Sequence, residues 1–101
     1  MFSGNPFLFK AHMWVYPGLA AWHFVTLPVV LAEQFALQAG PRRGFGSLRV
    51  EVKVGDTSWK TSIFPDKKSQ SFLLPIKSEV RKKEKMDLEK EIEFELRLLD
   101  N

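Results

Sequence analysis

Six side chains in the middle of the sequence have the charge, hydroxyl groups or ring surface needed to bind a small anionic ligand. Lys77 and Arg81 are four residues apart, so on a helix they share one face and can bind a phosphate or carboxylate together. Trp59 adds a flat apolar surface on which a ligand ring could lie. The predicted ligand-binding residues are Arg43, Ser47, Trp59, Ser62, Lys77 and Arg81.

The glycine pair Gly44-Phe45-Gly46 follows two arginines and leads into a strand. Its backbone N–H groups could bind an anion beside Arg43. Glycines at such a place also permit a tight bend or a bulge, and we favour that interpretation.

Residues with catalytic or metal-binding chemistry are few. His12 and His23 are the only histidines, and we interpret both as structural rather than as a ligand pair. A Ser62 nucleophile would need a base such as His23 within hydrogen-bond reach, which leaves a hydrolase or isomerase as the last alternative. The chain has no cysteine, so it forms no disulfide or thiolate site. We therefore predict a non-enzymatic protein with no metal and no cofactor.

Charge is distributed unevenly along the chain, although the net charge is only +3. Residues 1–40 are neutral, residues 41–85 carry an excess of seven positive charges, and residues 86–101 carry an excess of four negative charges. The favoured interpretation is that the acidic last strand pairs with basic neighbours in a sheet, while the alternative is two separate charged faces.

Alternating apolar residues predict a mainly β protein. Leu48 to Val54 alternates without error, Gly55-Asp56 is typical of a hairpin turn, and Glu89 to Leu99 alternates again. Helices are predicted over 30–38 and from a Ser78 cap to about Met86. The predicted core includes Trp22, Phe24, Val50, Trp59, Ile63, Leu74, Phe94 and Leu96.

The pair Leu27-Pro28 recurs as Leu74-Pro75, each time between a strand and a helix that is followed by an alternating strand. This order predicts that residues 21–54 and 71–98 are two copies of one unit, related by a pseudo-twofold axis.

The motifs AAWHFVTLP, GFGSLRV, GDTSWKTSIFPDK and LPIKSEVRK together resemble the bacterial family catalogued as domain of unknown function 1905, over about residues 7–99. The resemblance implies a double-split β-barrel, similar in shape to the AbrB/MazE swapped-hairpin dimers, within one chain. Two departures are clear. The last turn, Met86 to Lys90, has no glycine, which predicts a differently shaped turn. The first helix has no Lys or Arg, unlike the symmetric basic face of AbrB-like DNA binders.

From these observations we predict one domain over residues 1–101, with the barrel over 7–99. We expect a bacterial cytoplasmic protein with no membrane segment, present as a monomer or weak dimer. Its predicted function is to bind a small or anionic ligand. AbrB-like nucleic-acid binding is the alternative, and we expect no nucleic-acid partner.

Overall fold

The computed structural model describes residues 6–18, 22–39 and 46–99. Within these ranges the chain forms seven strands and two helices. In chain order they are β1 (Phe7–Ala11), β2 (Trp14–Val15), β3 (His23–Thr26), α1 (Val29–Ala39), β4 (Leu48–Val54), β5 (Thr57–Asp66), β6 (Ser71–Pro75), α2 (Ser78–Lys83) and β7 (Ile92–Leu98).

The strands form one antiparallel sheet in the order β1-β7-β4-β5-β6-β3-β2. The two strands at the ends of this order, β1 and β2, are separated in the chain by only His12 and Met13. The sheet must therefore curl until its ends are neighbours. The fold is a split β-barrel with two short helices, and the predicted fold class is confirmed.

Strand pairing follows the predicted pseudo-twofold relation. β3 pairs with β6, and β4 pairs with β7, so corresponding strands of the two units lie side by side. The bent segment β1–β2 pairs with β7 and β3 in the way that β5 pairs with β4 and β6. Phe7 pairs with Leu96 as Trp59 pairs with Val52, and Trp14 pairs with Phe24 as Asp66 pairs with Ser71. The spacing from Phe7 to Trp14 equals the spacing from Trp59 to Asp66. Residues 21 and 40–45 of the first unit lie outside the described residues.

The barrel interior is filled by the inward phase of each strand. In β4 the apolar residues are buried and the charged residues between them face outward, as the alternation predicts. Six of the predicted core residues are buried, namely Val50, Trp59, Ile63, Leu74, Phe94 and Leu96.

The inward phase of β3 differs from the prediction. Trp22, expected in the core, is 55% exposed, and Phe24 is only half-buried. Val25 and Leu27, on the opposite phase, are fully buried instead. Both phases of this segment are apolar, so alternation alone does not decide between them. The compact aliphatic side chains take the interior, and the larger aromatic rings form a cluster outside the barrel.

Opposite charges face each other on the outer surface of the sheet. Glu93 of β7 is in register with Lys10 of β1, and Glu95 is in register with Lys53 of β4. Such cross-strand pairs contribute roughly 0.2–1 kcal/mol each. Acidic residues of the last strand thus lie in register with basic residues of both neighbouring strands, as the favoured interpretation of the charge distribution predicts.

The two helices differ in length and composition. α1 follows Leu27-Pro28 directly, contains Glu33 as its only charged residue, and buries Leu31, Ala32 and Phe35. α2 has six residues, ends in Arg81, Lys82 and Lys83, and has Val80 as its buried residue. Neither described helix is long and apolar enough to cross a bilayer.

The ends of α2 lie elsewhere than the sequence predicts. Lys77 occupies the N-cap position without a side-chain hydrogen bond, so the predicted Ser78 cap is wrong. The helix ends at Lys83 rather than Met86, because Lys85 adopts a left-handed backbone with a φ of 53°. The N–H of Met86 then bonds to the carbonyl of Arg81, and that of Lys85 to Lys82, which is a Schellman motif.

The left-handed backbone conformation of Lys85 costs free energy for a lysine, and it would cost much less for a glycine. We expect Lys85→Gly to raise the free energy of unfolding by about 0.5–1 kcal/mol in urea denaturation. Lys82→Gly is the matched control, because it removes the same charge inside the helix. That variant is expected to lose about 1 kcal/mol. Equal effects of the two variants would show that the left-handed cap carries no strain.

The last turn is held by a side chain instead of a glycine. Asp87 Oδ1 accepts a hydrogen bond from the N–H of Glu89 at 3.0 Å. The carbonyl of Asp87 accepts one from the N–H of Lys90 at 3.3 Å. An aspartate that bonds the backbone two residues on forms an Asx turn, which explains how this turn forms without glycine.

Candidate ligand-binding site

A groove of about 280 Å³ lies between the start of β3, the first half of β5 and the link from β6 to α2. We call it the tryptophan groove, because Trp22, just before β3, and Trp59 of β5 both line it. Its lining also includes His23, Lys60, Ile76 and Lys77.

Trp22 is held in place by an aromatic cluster outside the barrel. Its ring stacks on Phe24 at a centroid distance of 6.0 Å and an interplanar angle of 26°. Phe24 in turn contacts Trp14 at 5.5 Å and Tyr16 at 5.9 Å. The indole N–H of Trp14 donates to Thr26 Oγ1 at 2.9 Å, which fixes the base of the cluster. Trp22 is thus an oriented ring that keeps 55% of its surface exposed.

His23 is held between β6 and α2. Its carbonyl accepts a hydrogen bond from the N–H of Ile76 at 2.9 Å, which continues the β3–β6 pairing. Arg81 Nε donates to the carbonyl of Ile76 at 3.2 Å, and Arg81 Nη1 lies 3.4 Å from His23 Nε2. Because arginine can only donate, Nε2 is the acceptor in this contact. The tautomer that fits this contact carries its ring proton on Nδ1.

The Nδ1 atom of His23 is buried and has no hydrogen-bond partner among the described residues. A buried donor without a partner costs about 1–3 kcal/mol. Native structures contain few such groups, so each one calls for an explanation.

Positive charge surrounds the tryptophan groove. Lys60 and Lys77 line it, and Arg81 lies behind His23. None of the described residues that line the groove is acidic. Lys77 Nζ lies 3.9 Å from Glu79 Oε1, but both side chains are exposed, so this ion pair contributes little. The lysine ammonium groups remain accessible to an anion that enters the groove.

The structure brings three of the six predicted ligand-binding residues together. Trp59 and Lys77 line the tryptophan groove, and Arg81 contacts its histidine. Ser62 instead accepts a hydrogen bond from Arg49 Nη1 at 3.2 Å, away from the groove. Ser47 lies just before β4 and does not line the groove, and Arg43 lies outside the described residues.

The sequence does not predict ligand binding for Trp22, His23 or Lys60, although all three line the tryptophan groove. Trp22 was assigned to the core, His23 was interpreted as structural, and Lys60 was not singled out. The available signal was the sequence Trp22-His23, an aromatic ring followed by a polar group at the start of a predicted strand.

The chain matches the family described as domain of unknown function (DUF1905) over residues 9–96. It belongs to the DUF1905 family. The resemblance found in the sequence motifs is therefore confirmed. No curated protein sequence matches the chain. The matched range contains every residue that lines the tryptophan groove, so the site is built within the DUF1905 sequence itself.

The geometry of this DUF1905 domain does not assemble the hydrolase or isomerase site considered from the sequence. That site required Ser62 and His23 to be partners. The Ser62 hydroxyl is bonded to Arg49, and the contact at His23 Nε2 is with Arg81. Within the described part of the chain, neither ring nitrogen of His23 has a hydroxyl partner.

Proposed function

We propose that the chain is a non-enzymatic binding module that holds a small anionic ligand with a flat apolar body in the tryptophan groove. The observation that carries this proposal is the combination of two tryptophan rings with two accessible lysines and no acidic lining residue. Aromatic rings provide a large apolar surface that orients a flat ligand. Lysine ammonium groups bind carboxylate or phosphate as point charges.

The size of the groove limits the ligand. Pockets for drug-sized ligands occupy about 300–1,000 Å³, and this groove of about 280 Å³ lies just below that range. The ligand is therefore one or two fused rings with a single anionic group, or a mononucleotide, rather than a dinucleotide or a long chain.

A screen of flat anions tests this function. Benzoate, naphthoate, phenyl phosphate and pyridine carboxylates are added to the protein, and the melting temperature and tryptophan fluorescence are recorded. A ligand that binds only the folded state must raise the melting temperature. Binding beside Trp22 and Trp59 is expected to change their emission. Adenosine monophosphate is included to represent mononucleotides. If none of these anions does either, the proposed function is wrong.

Removing one groove charge is expected to weaken the best of these probes. We expect Lys77→Gln to raise its dissociation constant about 5–10-fold, because a charged hydrogen bond at an exposed site is replaced by a neutral one. The matched control is Lys68→Gln, an exposed lysine in the turn between β5 and β6 that does not line the groove. Equal weakening by both variants would indicate nonspecific attraction to a basic protein.

Nucleic-acid binding is the second candidate, favoured by the run Arg81, Lys82 and Lys83 at the end of α2. Three features argue against it. α1 contains no basic residue, the carboxylates of β7 offset nearby positive charge, and the groove is too small for a polymer.

We therefore expect only weak, strongly salt-dependent binding of duplex DNA. A gel-shift titration at about 150 mM salt is the measurement, because phosphate contacts are screened at that ionic strength. Submicromolar affinity that is lost when Arg81 and Lys82 are changed to Ala would make nucleic-acid binding the preferred function.

A further inference from the structure

His23 presents a fixed donor at the tryptophan groove. Arg81 occupies the opposite ring nitrogen, and Arg81 is itself held by the carbonyl of Ile76. The backbone N–H of Arg81 bonds to the carbonyl of Lys77, which places Arg81 within the hydrogen-bonded backbone of α2. The ring can therefore offer Nδ1–H as a donor, and it cannot offer an acceptor there while the Arg81 contact lasts.

The unpaired Nδ1–H is buried in a residue that lines the groove. A ligand atom reaches Nδ1 when the side chains that cover it move aside. The free energy that the unpaired donor costs in the empty protein is then recovered on binding.

We propose, building on the function above, that the flat body of the ligand is a heteroaromatic ring whose acceptor atom bonds to His23 Nδ1–H. Its carboxylate or phosphate group lies against Lys60 and Lys77. Simple aromatic acids lack the ring acceptor and leave Nδ1–H unpaired. A site with a buried polar group discriminates strongly against a ligand that leaves that group unpaired. Both heteroaromatic carboxylates and mononucleotides have the required chemistry.

Isosteric acids provide the test. Benzoate is compared with the three pyridine carboxylates at neutral pH, where all four are singly charged anions of nearly the same size. A second arm compares adenosine monophosphate with its 1-, 3- and 7-deaza analogues, in each of which one ring acceptor nitrogen is replaced by C–H. Dissociation constants are measured from tryptophan fluorescence. We expect a ring acceptor at the correct position to tighten binding about 10-fold in at least one arm. The arm that discriminates identifies the source of the ligand.

Two histidine variants test whether the preference for a ligand with a ring acceptor depends on His23. His23→Phe keeps a flat ring without nitrogen, and the affinity ratio between the two members of the discriminating pair is expected to fall to about one. His12→Phe is the matched control, because His12 is exposed, does not line the groove, and contacts the carbonyl of Leu88. It is expected to keep the ratio of the parent protein. If His23→Phe does not fold, ¹⁵N NMR of the parent protein replaces it, and the Nδ1 resonance must respond to the heteroaromatic anion but not to its partner.

The outcomes separate this inference from the proposed function. If no anion binds, the proposed function fails, and this inference fails with it. If benzoate and the pyridine carboxylates bind equally, and the deaza analogues bind as well as adenosine monophosphate, then the groove binds anions without reading a ring acceptor. That result overturns the present inference and leaves the proposed function standing. Discrimination that persists in His23→Phe also overturns it.

Discussion

Replacing Phe94 by Ala is expected to lower the free energy of unfolding by about 3–5 kcal/mol, whereas Trp22→Ala should cost less than about 1 kcal/mol. Phe94 is fully buried and stacks on Phe9 at 5.3 Å with an interplanar angle of 16°. Its removal leaves a cavity at the centre of the barrel. Trp22 is more than half exposed, so most of its surface already faces water and little burial is lost. Urea unfolding of both variants measures the difference.

The comparison also tests the assignment of Trp22 to the groove. Both substitutions remove a large aromatic ring from a β-strand protein, so they differ mainly in burial. If Trp22→Ala cost as much as Phe94→Ala, then Trp22 would belong to the core and would not line a ligand site. The sequence alone predicts that result, since it places Trp22 on the inward phase.

The inward face of a strand was predictable where only one of its two faces is apolar, and it was not predictable where both faces are apolar. In β4 and β7 charged residues alternate with aliphatic or aromatic ones, so only one phase can face the core. In β3 both Trp22-Phe24 and Val25-Leu27 are apolar. The choice depends on how much volume the curled sheet leaves inside, which is a property of the closed barrel and not of the segment.

The candidate site was predictable to the extent that it depends on local spacing. Lys77 and Arg81 are close because they are four residues apart on the chain. Ser62 was misplaced, although the alternation that turns Ile63 inward turns its neighbour outward toward Arg49. His23 reaches α2 only through the pairing of β3 with β6, a contact between residues about fifty apart that no local pattern reveals.

The pseudo-twofold relation places two helices in corresponding positions after a Leu-Pro pair, and the sequence gives them different properties. α1 contributes three buried side chains to the core. α2 contributes Val80 and exposes lysines beside the tryptophan groove. A duplicated barrel can therefore use one helix for packing and the other for recognition, provided that α1 is firmly attached to the sheet.

Phe35→Ala is the direct measure of that attachment, and we expect it to lower the free energy of unfolding by about 3–5 kcal/mol. Phe35 is fully buried, and its ring meets that of Phe7 edge-on at 5.0 Å, which joins α1 to β1. Leu37→Ala is the control on the same helix. Leu37 is 83% exposed, so the expected loss is below about 0.5 kcal/mol. Urea unfolding followed by circular dichroism gives both values. If Phe35→Ala lost as little stability as Leu37→Ala, α1 would not pack on the barrel.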